Sequence, residues 1–99
     1  MPRKLPTFQP VTSPLVQELA ELGLLVRNQR AKLGLRIDDA AALCGVSSDV
    51  FSRLENGKPV TTNKLMLILN GFGIRLIALP IRHAIALTPA LNEMIDVLN

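Results

Sequence analysis

Glycine recurs through the middle of this chain at intervals too short for any long helix: Gly34, Gly45, Gly57 before Lys58-Pro59, then Gly71-Phe72-Gly73. A helix commonly ends on a left-handed residue, and glycine takes that conformation without steric cost. Apolar residues at helical spacing fill the intervals, so the region reads as four short helices with tight connections, a small α bundle. The first starts at Ser13-Pro14, where serine caps orphan amides and proline suits the first helical position. Leu15, Leu19, Leu22 and Val26 form its apolar face, and Arg30 and Lys32 complement the dipole before Gly34. Gly23, unfavourable in a helix interior, marks a kink or a second start. Asp38 and Asp39 open a second, alanine-rich helix running to about Cys44. After Gly45-Val46, Ser47 is the cap candidate for a third helix from Ser48 to Asn56, and Thr61 or Thr62 caps a fourth carrying Leu65 and Leu69.

Beyond Gly73 the pattern changes. Ile74, Arg75, Leu76, Ile77, Ala78 and Leu79 lie between Gly73 and Pro80 and are rich in β-formers, which predicts a strand. A lone strand leaves its backbone groups unpaired, and Pro80-Ile81 is no hairpin turn. The expected partner is the same strand from a second copy, burying Leu76 and Ala78. Thr88-Pro89 repeats the start signal for a short final helix with Leu91, Met94, Ile95 and Leu98. The expected organisation is a flexible, proline-rich arm over 1–12, a helical domain over 13–73, a dimerising strand over 74–80 and a C-terminal extension over 81–99.

Ninety-nine residues allow one small domain, and a chain of this size is marginal unless something adds to its core. A single cysteine, Cys44, excludes an internal disulfide framework, and with His83 as the one histidine a Cys/His zinc site is excluded too. A second subunit is the remaining source of stability. Arg3 and Lys4 are followed by Pro6, Thr7, Gln9 and Pro10 rather than an apolar run, so no secretory signal is read. Residues 65–80 are interrupted by Asn70, Gly71, Gly73 and Arg75 and are too short to span a bilayer. The expectation is a cytoplasmic protein with no membrane role. Cys44 reads as a buried structural thiol, and His83 as a surface or interface residue. Gly71-Phe72-Gly73 lacks the third glycine and preceding strand of a dinucleotide site, and no catalytic carboxylate pair or Ser/His/Asp set is apparent. No cofactor and no enzyme activity are expected.

The net charge of +3 is unevenly placed. Residues 1–36 carry a local +4, residues 37–57 a local −3 with Arg53 the sole cation, residues 58–82 a local +4, and the remainder −2. Two basic blocks flanking a middle segment suit a chain that grips phosphates on both sides of something it reads, as well as an ordinary solvated surface. In the middle segment, a short helix, a glycine-containing turn and a serine-capped helix describe a helix-turn-helix. The second helix of such a motif enters the DNA major groove, which requires a small or polar outer face. Ser48, Asp49, Ser52 and Arg53 supply one, with Val50, Phe51 and Leu54 pointing inward.

Leu22-Gly23, Val26-Arg27, Arg30, Gly34-Leu35, Ala41, Gly45-Val46-Ser47, Phe51-Ser52 and Leu54-Glu55-Asn56-Gly57-Lys58 together resemble the Cro/phage-repressor type of helix-turn-helix domain, over about residues 22–73. The Ser13-Pro14 start, Leu25-Val26-Arg27 and the strand after the fourth helix are similar to the HipB-type antitoxins. The resemblance implies a mainly α fold of four to five helices followed by one dimer-pairing strand, and a homodimeric repressor of a pseudo-palindromic double-stranded operator. It further implies an antitoxin that autoregulates a HipBA-like operon and binds a HipA-like serine/threonine kinase toxin. The alternatives are a stand-alone or phage-type repressor, and a protein-interaction module with vestigial DNA binding. By position, Ser47, Ser48, Asp49, Ser52 and Arg53 would face bases or adjacent phosphates, while Arg36, Asn56, Lys58, Thr62 and Lys64 would grip the phosphate backbone. Arg30 and Glu55 would form an interhelical ion pair. Arg36-Ile37 replaces the usual Thr/Ser-Gln that opens the second helix, offering Arg36 as a substitute cation.

Overall fold

The structure, a computed structural model, describes residues 15–95, and within them it is mainly helical, with five helices. The arm over 1–12, the Ser13-Pro14 signal and the end of the C-terminal extension, Leu98 included, lie outside the described residues. In order the elements are α1 (Leu19–Leu33), α2 (Ile37–Cys44), α3 (Ser48–Glu55), α4 (Thr62–Gly71) and α5 (Ile81–Glu93).

Helix α1 begins later than the serine-proline signal suggests. Residues 15–18 are not helical, and the start is set by Glu21, whose carboxylate accepts from the amides of Glu18 (3.1 Å) and Gln17 (3.2 Å). A glutamate three residues into a helix satisfies orphan donors from inside the first turn, and here that outcompetes the upstream start. Leu22 and Val26 are buried as the helical spacing requires. Gly23 is neither a kink nor a second start: it lies inside one helix, and a Cβ there would press on the Leu54 carbonyl oxygen. The missing side chain is what brings α1 against the end of α3.

The glycine stops act as their chemistry requires. Gly34, Gly45, Gly57 and Gly73 all have φ between 66° and 75°. At Gly45 the turn closes with the Val46 amide donating to the Ala41 carbonyl at 3.0 Å, which turns Val46 onto the core. Ser47 then caps α3, accepting from the Val50 amide at 3.2 Å, and Thr61 caps α4 through the Lys64 amide at 3.3 Å. Phe51, Leu54, Ile68, Leu69 and Val26 fill the core with almost no exposure, and Phe51 meets Phe72 edge-on at 5.4 Å between ring centroids. Ala40 and Ala41 let α2 pack closely, and Gly71 of α4 sits over Cys44, where a Cβ would lie 2.7 Å from the sulfur. Cys44 is buried, its thiol donating weakly to the Ile68 carbonyl at 3.7 Å.

The C-terminal region departs from expectation in one respect. The last helix starts at Ile81, not at Thr88-Pro89. Pro80 precedes it, and its carbonyl accepts from the amides of His83 (2.9 Å) and Ala84 (3.0 Å). That start is already satisfied seven residues before the second signal, so Pro89 falls inside the helix, where it lacks the amide that would bond the Ile85 carbonyl. Residues 74–80 are neither helix nor strand in the single chain, and no strand occurs among the described residues. Ile74 packs against the core, but Leu76, Ile77 and Leu79 are exposed, Ile77 at 75%. Helix α5 likewise has no buried residue and exposes Ile81, Ile85 and Leu87.

Candidate nucleic-acid interface

The α2–turn–α3 unit sorts its residues by helical face. Phe51, Leu54 and Glu55 turn inward, while Asp49 and Arg53, one turn apart, are exposed, and Ser48 and Ser52 form a half-buried row beside them. The outer face of α3 is therefore small and polar over an apolar floor, as entry into a groove requires.

Each polar group on that face has a defined local setting. Ser47 is exposed, its oxygen occupied by the cap bond. The Ser48 hydroxyl donates to Asp38 Oδ1 at 2.7 Å, tying the start of α3 to the start of α2. Arg53 Nε donates to the Pro59 carbonyl at 3.0 Å, and Arg53 is exposed. Asn56 ends α3: its amide nitrogen donates to the Ser52 carbonyl at 2.8 Å, and its oxygen accepts from Arg27 at 3.2 Å. Asn56 thus has intramolecular partners through both its amide nitrogen and its oxygen. Arg36, Lys58, Thr62 and Lys64 are all exposed, and the three cations among them have no ion-pair partner among the described residues. They sit before α2, after α3 and in the first turn of α4.

Beneath this surface Arg30 and Glu55 meet in a two-pronged contact, Nε to Oε2 and Nη2 to Oε1, both 2.7 Å. Their side chains are 9% and 2% exposed. A third donor of Arg30, Nη1, reaches the Leu35 carbonyl at 3.2 Å, and Arg27 approaches Glu55 from the rim at 3.8 Å. The pair locks α1 to the end of α3, so it orients the reading helix and does not itself face outward. Two contributors escaped the sequence reading. Asp38 signalled only a favourable helix start, and Arg27 only a family position, because both contacts depend on how the helices cross. No group of three or more metal-ligating side chains occurs among the described residues. No helix among them is long and apolar enough to cross a membrane.

A serine-capped helix with a polar outer face, held by a glycine turn against a second helix of the same length, with exposed cations on the neighbouring segments, defines the helix-turn-helix class. The comparison with known families agrees: residues 21–73, more than half of the chain, match the helix-turn-helix domain family, and the chain belongs to it. No curated protein matches the chain.

Proposed function

We propose that this protein is a homodimeric, sequence-specific DNA-binding repressor of transcription, acting in the cytoplasm and carrying no catalytic activity of its own. The observation that carries this reading is the outer face of α3: Ser48, Asp49, Ser52 and Arg53 side by side, with Arg36, Lys58 and Lys64 exposed on the adjoining segments and without an ion-pair partner among the described residues. Arginine can fork to guanine and a carboxylate can accept from the cytosine amino group, so the row has the means to read bases. Ser47, Thr62 and the cations would hold phosphates and fix register without reading sequence. Asn56 is held by Ser52 and Arg27, and the second hydrogen of its amide nitrogen would serve a phosphate oxygen.

Dimerisation is supported by the apolar surface beyond Gly73. Leu76, Ile77, Leu79, Ile81, Ile85, Leu87 and Met94 are each 39% to 75% exposed in the single chain. At on the order of 100 Å² of apolar surface each, they offer about 700 Å² per copy, close to what one side of a standard interface buries. Pairing of residues Ile74, Leu76, Ile77, Ala78 and Leu79 with their two-fold mates would satisfy the segment's backbone groups and start that burial. Two-fold symmetry would then set two α3 helices about 34–36 Å apart, on a pseudo-palindromic site.

The finer reading is an antitoxin that represses its own operon and holds a HipA-like serine/threonine kinase. It rests on the layout of residues 25–27 and of the segment after α4, and co-purification from the native host of a kinase-like protein would support it. The main reading is tested by binding of the full chain to its own upstream DNA and to scrambled duplexes across a salt series. The expected result is a specific complex at least about a thousandfold tighter than the non-specific one, and a sedimentation coefficient of a dimer. Equal affinity for every duplex would leave a partner-holding module as the better account.

A further inference from the structure

We propose that Asp38 determines what Ser48 recognises, by taking the hydroxyl proton and leaving Ser48 to act only as an acceptor towards DNA. The inference rests on the DNA-binding reading above and adds a base preference to it. A serine hydroxyl has one proton and two lone pairs, whereas a carboxylate only accepts. At 2.7 Å from Asp38 Oδ1 the Ser48 oxygen is at the ordinary O–H···O distance, so its single proton is committed to Asp38. Charged acceptors make the stronger bonds of this kind, so a neutral base edge competes poorly for that proton. What Ser48 presents outward is lone pairs. Asp49, next along the chain and exposed, presents lone pairs as well. Ser47 has the opposite polarity: its oxygen accepts from the Val50 amide, and its proton stays available, suited to a phosphate oxygen.

Ser48 and Asp49 therefore present only acceptors at the start of α3. In the major groove the amino donors are adenine N6 and cytosine N4, while guanine N7 and O6 and thymine O4 are acceptors. The pair of residues selects adenine or cytosine on the contacted strand and disfavours guanine or thymine. Without Asp38 the Ser48 hydroxyl would rotate freely and bond either kind of edge. Asp38 is a positioning residue here: it acts through Ser48 and touches no base.

The test is selection of duplexes from a randomised pool by the full-length wild type, Asp38→Ala, Ser48→Ala and the double variant. Asp38 is exposed, so its truncation leaves the core intact. In the wild type, the base position that Ser48→Ala flattens should prefer adenine or cytosine by about fivefold, the scale of one net hydrogen bond. Asp38→Ala should admit guanine and thymine at that same position, reducing the preference to twofold or less, and should add nothing once Ser48 is alanine. Removing a negative charge also raises affinity for all duplexes alike, and that effect cancels in the ratio. The proposal is overturned if Asp38→Ala leaves the preference unchanged, if it acts equally on the Ser48→Ala background, if Ser48→Ala flattens no position, or if the Ser48-dependent position prefers guanine or thymine. Selection of no sequence by the wild type would instead remove the DNA-binding reading itself.

Discussion

Replacing Arg30 by alanine removes three hydrogen bonds at once: two to Glu55 at 2.7 Å and one to the Leu35 carbonyl at 3.2 Å. The larger effect is on the partner left behind. Glu55 is 2% exposed, so its carboxylate would sit in the bundle with Arg27, at 3.8 Å on the rim, as its only remaining ion-pair partner among the described residues. Breaking a buried pair on one side costs about 3–5 kcal/mol, and partial rescue by Arg27 places this case near 3. A small domain has about 5–15 kcal/mol of stability in total. Each kcal/mol moves Tm by about 4–8 °C at this size, so the variant should melt on the order of 12–24 °C lower. The assay is thermal unfolding by far-UV circular dichroism at one fixed protein concentration, since any self-association couples to Tm. Replacing both partners, Arg30→Met with Glu55→Leu, should recover most of the loss, because the penalty lies in the stranded charge. A drop under about 3 °C in Arg30→Ala would refute the reasoning, since it would mean that water reaches Glu55.

Three further perturbations test separate parts of the account. Gly23→Ala, which would favour an isolated helix by about 0.5–1 kcal/mol, should instead destabilise this protein by about 2 kcal/mol or more, because the new methyl meets the Leu54 carbonyl; a gain in Tm would contradict the close approach of α1 and α3. The Cys44 thiol is buried and its pKa is pushed up by desolvation, so at neutral pH it should react with a thiol reagent about a hundredfold or more slowly than in denaturant. Equal rates in the two conditions would show an open α2–α4 contact. Ile77→Pro removes an amide that a paired strand needs and should yield monomers or aggregates by sedimentation, with operator affinity lost although no DNA-facing residue is altered; a stable wild-type monomer at micromolar concentration would refute the dimer.

How much of this was legible in the sequence follows from the range over which each feature is decided. The stops at Gly34, Gly45 and Gly57 were readable because a left-handed residue is a local requirement, and each has φ near 70°. The caps at Ser47 and Thr61 are local for the same reason. The start of α1 was misplaced because two starts compete, and Glu21 reaching back to residues 17 and 18 prevails over Ser13-Pro14. The same competition misplaced α5, where Pro80 supplies an acceptor for two amides before Thr88-Pro89 can act. Gly23 looked like a defect because its purpose, clearance for Leu54, lies thirty-one residues away on another helix. The outer row of α3 could be listed from periodicity, yet the bonds that set its chemistry could not. Asp38 to Ser48 and Arg53 to Pro59 both depend on the angles at which turns deliver neighbouring segments. A strand over 74–79 would need a second chain to pair with, and the single chain shows exposed apolar side chains there and no ladder.

The central claim is that α3 reads bases while the cations around it hold the backbone, and one comparison separates the two roles. Affinity of Arg53→Ala and Lys58→Ala for the selected duplex and for a scrambled one, measured across a salt series, should give opposite signatures. Arg53→Ala should lose about 1–3 kcal/mol on the specific duplex alone and relax the preference. Lys58→Ala should weaken both duplexes alike and lower the salt slope by about one. Arg53→Ala binding every duplex as the wild type does would contradict the assignment of α3 as the reading helix.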